Sequence, residues 1–103
     1  MWNKPTIKQL QLIPDLYSQE NVKDKKIYMK FFIGSWRWYV AEIDHKNWDR
    51  MFCFVTSPIV PDGEWGYASL KELISLKKGF VQVDRELHGI TPRTPVRFSQ
   101  IMT

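Results

Sequence analysis

A single cysteine, Cys53, stands in this 103-residue chain, inside the apolar run MFCFV. A lone thiol closes no internal disulfide, so a disulfide-stapled scaffold is excluded and a cytoplasmic home is the default expectation. Metal-ligand spacings are missing too: the chain has no H-x-x-x-H, C-x-x-C or H-E-x-x-H. Its two histidines, His45 with Asp44 and Asp49 and His88 with Glu86, therefore read as loop and surface polars, and no metal or other cofactor is expected. There is no basic-then-apolar leader and no uncharged apolar run of roughly eighteen residues, so neither a secreted nor a membrane-spanning protein is expected. Internal repeats and low-complexity segments are also absent.

A catalytic constellation is lacking as well. Cys53 sits mid-strand among Met51, Phe52, Phe54 and Val55, where burial raises a thiol pKa and makes it inert. Ser35, Ser57 and Ser69 are explained as turn or cap residues. Glu64, Asp84 and Glu86 sketch an acidic nuclease centre, but no lysine follows a carboxylate at the required one-residue spacing on these strands. An enzyme is the minority reading. Strong acidity is missing too: the net charge is +4, so mimicry of DNA by charge is not expected, whereas nucleic acid or an acidic protein surface is a compatible partner.

What is present is aromatic and alternating. Aromatic residues make up 15% of the chain, enough to leave some outside a core. The segment Lys26 to Ile43, KIYMKFFIGSWRWYVAEI, holds two alternating runs around Gly34-Ser35. That is a β-hairpin signal, since glycine accepts the positive φ of a tight primed turn. Ile27, Met29, Phe31 and Ile33 fall on one face of the first arm. In the second arm Trp36, Trp38 and Val40 oppose Arg37, Tyr39, Ala41 and Ile43.

On either side of this hairpin the chain reads as short elements. Thr6 and Gln9 have capping-box spacing before Ile7, Leu10 and Ile13, a first helix limited by Pro14. Residues 19–25 read as a solvated loop. Asp44 to Asp49 is a loop, Arg50 to Thr56 a strand, Ser57 to Gly63 a loop, and Trp65 to Ala68 a short strand. Ser69 and Glu72 open a second helix that Lys77, Lys78 and Gly79 are expected to close. Phe80 to Leu87 alternates as a last strand, and a basic extended tail is expected from about residue 90.

The sum is a single domain, 1–103, of α+β class: a four- or five-stranded, mainly antiparallel sheet with two short helices packed on one face.

Several of these motifs together resemble a small bacterial family of domains of unknown function. They are Phe31-Phe32, Trp36-x-Trp38-Tyr39, Glu42 and Asp44, Gly66-Tyr67-x-Ser69-Leu70 with Leu73, and Asp84-Arg85-Glu86. The likeness runs from Leu16-Tyr17-Ser18 through Arg85. It implies a protein of plasmids, integrative elements or phages, at times near anti-restriction genes. The loop His45-Lys46-Asn47-Trp48 and the basic tail depart from the family pattern and mark a specialised partner surface.

Three function classes follow. The first is a non-enzymatic interaction protein of a mobile genetic element or phage that binds and modulates a host protein complex, such as a restriction or CRISPR defence assembly. The second is a nucleic-acid-binding accessory protein with a basic aromatic sheet face, and the third is a small enzyme. Candidate binding residues are Lys30, Trp36 and Arg37 on the hairpin, and Trp48 and Trp65 beside loops, expected to be exposed anchors. Arg85, Arg93 and Arg97 complete the set; Arg85 reads either as a structural fork, with Glu42 one possible partner, or as a phosphate contact. Trp38 is expected to be buried.

Overall fold

Alternating apolar residues pull the middle of the chain into one antiparallel sheet. The computed structural model describes residues 1–101. In chain order the elements are α1 (Ile7–Leu10), β1 (Lys26–Ile27), β2 (Met29–Ile33), β3 (Trp36–Ile43), β4 (Arg50–Thr56) and β5 (Glu64–Ser69). There follow α2 (Leu70–Ser75), β6 (Lys77–Lys78), β7 (Val81–Gln82), β8 (Asp84–Arg85), β9 (Val96–Arg97) and α3 (Phe98–Ile101). Five strands form the main sheet in the order β5-β4-β3-β2-β8, while β1 pairs with β9 and β6 with β7. All pairings are antiparallel. This is the expected α+β architecture, with a third helical turn near the end of the chain.

Both faces of the sheet are covered. On the first, Met29, Phe31, Ile33, Trp38, Val40, Met51 and Cys53 pack against Leu10, Ile13, Leu70 and Leu73, which come from the α1 and α2 segments. On the second, Tyr39, Ala41 and Phe54 pack with Ile27 and Ile90, flanked by Phe52, Trp65, Val96, Phe98 and Ile101. The expected alternation of β4 is kept throughout: Met51, Cys53 and Val55 on one face, Phe52 and Phe54 on the other.

Two irregularities reverse the expected faces elsewhere. Tyr28 separates β1 from β2 and donates its backbone N–H to Val40 O at 2.8 Å. Ile27 consequently lies in the second cluster, not with Met29 and Phe31. The β3–β4 register shifts between Val40 and Glu42. One extra residue inverts the parity beyond it, so Ile43 joins the first cluster instead of following Tyr39 and Ala41.

Several boundaries also differ. The α1 capping box forms, Thr6 Oγ1 receiving Gln9 N and Gln9 Oε1 receiving Thr6 N. Only half of the box at α2 forms: Ser69 Oγ accepts Glu72 N, and the carboxylate of Asp49 takes Lys71 N at 2.8 Å and Ser69 Oγ at 2.9 Å. The helix ends at Ser75, before Lys77 and Lys78, which form a two-residue strand. Gly79, with φ +64°, turns that strand into β7 and does not stop the helix. Residues 19–25 are not wholly solvated, because Gln19 is buried and its side chain bonds Lys26 N, Lys26 O and Ala41 O. The tail beyond residue 89 is not extended: β9 returns to β1, and Phe98 of α3 lies against Phe54 and Trp65.

Candidate functional site

The β2–β3 hairpin also builds one wall of a concavity. Gly34, at φ +55°, closes the β2–β3 turn, so Ile33 pairs with Trp36 and Phe31 with Trp38. Residues two apart on a strand share a face, and the Trp36 and Trp38 rings stack at 5.8 Å with planes 22° apart. Trp38 is buried as expected; Trp36 keeps 38% of its surface exposed. Opposite them stand Leu76, Lys77 and Lys78 at the β6–β7 hairpin, whose tip carries the fully exposed Phe80.

Pro58 completes a cleft of about 500 Å³ that also takes in Ile33, Gly34 and Ser35. Ser57 fixes that wall, its hydroxyl accepting Ile59 N and Val60 N. Among the described residues, Lys77 and Lys78 are the only charged ones lining the cleft. Its lining suits an apolar group beside a negative charge, and among the described residues it includes no histidine or carboxylate.

The remaining candidates are dispersed. Lys30 and Arg37 lie on the sheet face opposite the tryptophans: Lys30 Nζ is 5.4 Å from the Tyr39 ring and the Arg37 guanidinium 5.7 Å from Phe32. Arg37 also bonds the carbonyls of Gly34 and Trp36. A combined platform of Trp36, Trp38, Lys30 and Arg37 is therefore split across the sheet.

Trp48 and Trp65 are more covered than expected. Trp48, at φ +54°, packs on the first cluster and stacks on His45 at 4.7 Å, while Trp65 stacks on Phe52 at 5.2 Å. Arg85 is buried and its Nε donates to Asn3 O at 2.9 Å. It ties the chain start to the sheet without meeting Glu42, whose carboxylate accepts Tyr17 N and Gln19 N elsewhere. Burial pulls the Arg85 guanidinium below the ordinary arginine value, partly opposed by Asp84. Arg93 and Arg97 are exposed, and Arg97 reaches Asp24 O at 3.3 Å.

The chemistry sketched for an enzyme does not assemble. Glu64 stands on β5 and Asp84 on β8, the two opposite edges of the sheet, so they form no common centre with Glu86. Burial pushes the Cys53 thiol far up. Among the described residues, no group of three or more histidine, cysteine, aspartate or glutamate side chains could hold a metal ion. No described helix is long and apolar enough to cross a membrane.

Sequence reasoning missed Leu76, Lys77 and Lys78, because they read as the end of a helix. It also missed the aromatic row Tyr67, Phe52 and Trp65 on the second face, with Arg50 4.1 Å over Tyr67 and Lys25 5.9 Å over Trp65. The alternation of β4 against β5 held that signal. No protein-family model, curated protein or solved structure matches the chain.

Proposed function

We propose that this protein is a non-enzymatic interaction module that grips an apolar side chain of an acidic partner protein in the Trp36–Trp38 cleft. The observation that carries the reading is the cleft itself: stacked tryptophans, one of them exposed, facing Leu76 under a rim of two lysines. Partly exposed tryptophan in a pocket is the usual anchor of a protein interface, and flanking lysines favour an acidic sequence around the anchor. The resemblance to a family of mobile elements makes a host complex, including restriction and CRISPR defence assemblies, the first place to seek the partner.

The test is a pull-down from host lysate with tagged protein, with and without nuclease, run beside Trp36→Ala and a Lys77→Glu/Lys78→Glu double variant. The expected result is a partner that survives nuclease and is lost with either variant. For Trp36→Ala the loss should be on the order of thirtyfold in affinity. Equal capture by wild type and both variants would overturn the assignment of the cleft.

A second reading, nucleic-acid binding, is favoured by the Tyr67–Phe52–Trp65 row with its cations Arg50 and Lys25. It requires log affinity to fall steeply with log salt and to drop on Arg50→Ala, with Trp36→Ala leaving it unchanged.

A further inference from the structure

The two edges of the main sheet are unlike. The β8 edge is two residues long, and the chain start runs beside it, with Trp2 N donating to Val83 O and Arg85 bonded to Asn3 O. The β5 edge is six residues, Glu-Trp-Gly-Tyr-Ala-Ser; it carries no lysine, no proline and no bulge in its register with β4, and its one charge, Glu64, stands at the end of the strand.

Which backbone groups it offers follows from one hydrogen bond. Leu70 N donates to Asp49 O at 2.9 Å, so residues 49 and 70 are a bonded pair. Antiparallel pairing alternates, which points Glu64, Gly66 and Ala68 at β4 and turns the N–H and C=O groups of Trp65 and Tyr67 outward. Among the described residues nothing meets those groups.

Gly66, at the centre of this strand, adds a second observation. Its φ is not positive, and a Cβ built there would meet nothing within 4 Å. Neither backbone strain nor crowding within the chain calls for glycine, and a glycine inside a strand often marks the close approach of another backbone.

We infer that β5 pairs antiparallel with β5 of a second copy of this chain, joining two five-stranded sheets into one continuous sheet around a two-fold axis at Gly66. The strand is self-complementary in that register. Trp65 of each copy faces Tyr67 of the other on one side, an aromatic cross-strand pair, and both are the residues with outward N–H and C=O groups. Glu64 faces Ala68, so no like charges oppose one another. The axis passes between two glycines, where no side chain separates the strands. The inference is independent of the Trp36–Trp38 cleft, which lies at the hairpin turns and not at the β5 edge.

Sedimentation equilibrium on the full chain, with residue-resolved amide exchange, tests it. The expected species at high concentration has twice the 12.3 kDa chain mass. The Trp65 and Tyr67 amides should become protected as concentration rises, whereas Gly66 and Ala68, bonded to β4, are protected at all concentrations. Tyr67→Pro removes an outward N–H together with the ring that packs on Phe52 and under Arg50, and should weaken the dimer by about tenfold or more, since each copy loses a hydrogen bond and an aromatic cross-strand contact. Tyr67→Phe should leave it intact. A monomer at all concentrations, or a dimer in which the Trp65 and Tyr67 amides still exchange freely, would overturn the proposal. The exchange readout on the unaltered chain decides the matter even if Tyr67→Pro fails to fold.

Discussion

At the scale of single residues, Glu42 and Cys53 show how differently buried polar groups are treated. The Glu42 carboxylate is 3% exposed and accepts Tyr17 N at 2.9 Å and Gln19 N at 2.7 Å, pinning the 17–19 turn to β3. Glu42→Gln sets an amide N–H₂ against one of those donors. It should cost about 2–3 kcal/mol in urea unfolding, the scale of a lost charge-assisted bond plus an unsatisfied donor. Among the described residues Cys53 has no such partner; burial raises its pKa by desolvation. It should resist alkylation in the native protein and react at the rate of unfolding. The sign of its pH dependence follows. Below its ordinary value of 9.0 the thiol is protonated in both states and contributes nothing to a pH slope. Above it only the unfolded thiol ionises, so the Cys53 contribution falls by about 1.4 kcal/mol per pH unit. Comparison of the alkaline denaturation profile with that of Cys53→Ala isolates it.

Elements are joined here by turns whose geometry leaves little latitude. Gly63 ends the 57–63 loop at φ +77°, and a Cβ there would stand 2.3 Å from Phe54 Cζ and 2.9 Å from Thr56 Cγ2. Phe54 is buried and packs edge-on against Trp65 and Phe98, so its ring is held from two sides. Gly63→Ala should therefore destabilise the fold by about 2 kcal/mol or more, through the left-handed backbone and overpacking together, and lower Tm accordingly. Gly34→Ala is the control: its φ is also positive, but the space around it is open, so only the smaller backbone penalty applies. Helix α2 is shorter than its sequence predicts. Its Ser69 cap is legible, but the helix yields to the β6–β7 hairpin after six residues, and Asp49, twenty residues away, supplies the rest of the cap.

Across the whole molecule the C-terminal segment covers the second face. Ile90, Val96, Phe98 and Ile101 shield Ile27, Tyr39, Phe54 and Trp65. Deleting residues 90–103 should expose that cluster, lower Tm and induce binding of a hydrophobic dye such as ANS, whereas Arg93→Ala, an exposed site, should do neither. Asp24 fastens the segment by accepting Ser99 Oγ at 2.7 Å and Ser99 N at 2.9 Å. Those bonds hold the Asp24 carboxyl below its usual value of 3.8. A depressed folded pKa gives a contribution that is full above pH 3.8 and lost as pH falls through the folded value, so the Asp24–Ser99 tie should loosen in acid. Amide exchange at Ser99 followed against pH reads this directly, and Asp24→Asn should abolish the pH dependence.

Local periodicity by itself determined the α+β class, the Gly34 hairpin, the complete β4 strand, the Thr6 and Ser69 caps and the burial of Trp38, because each depends on residues within a few positions of one another. Tertiary structure alone decided the rest. Tyr28 and the Val40/Glu42 shift reversed the faces of Ile27 and Ile43, since a one-residue irregularity inverts a period of two. Lys77, Lys78 and Leu76 became a wall of the cleft, and Arg85 an anchor for the chain start, through contacts with segments distant in sequence. The candidate site belongs to this second kind: its tryptophans were conspicuous in the sequence, but the lysines that would give it a preference for charge reach them only when two hairpin turns meet.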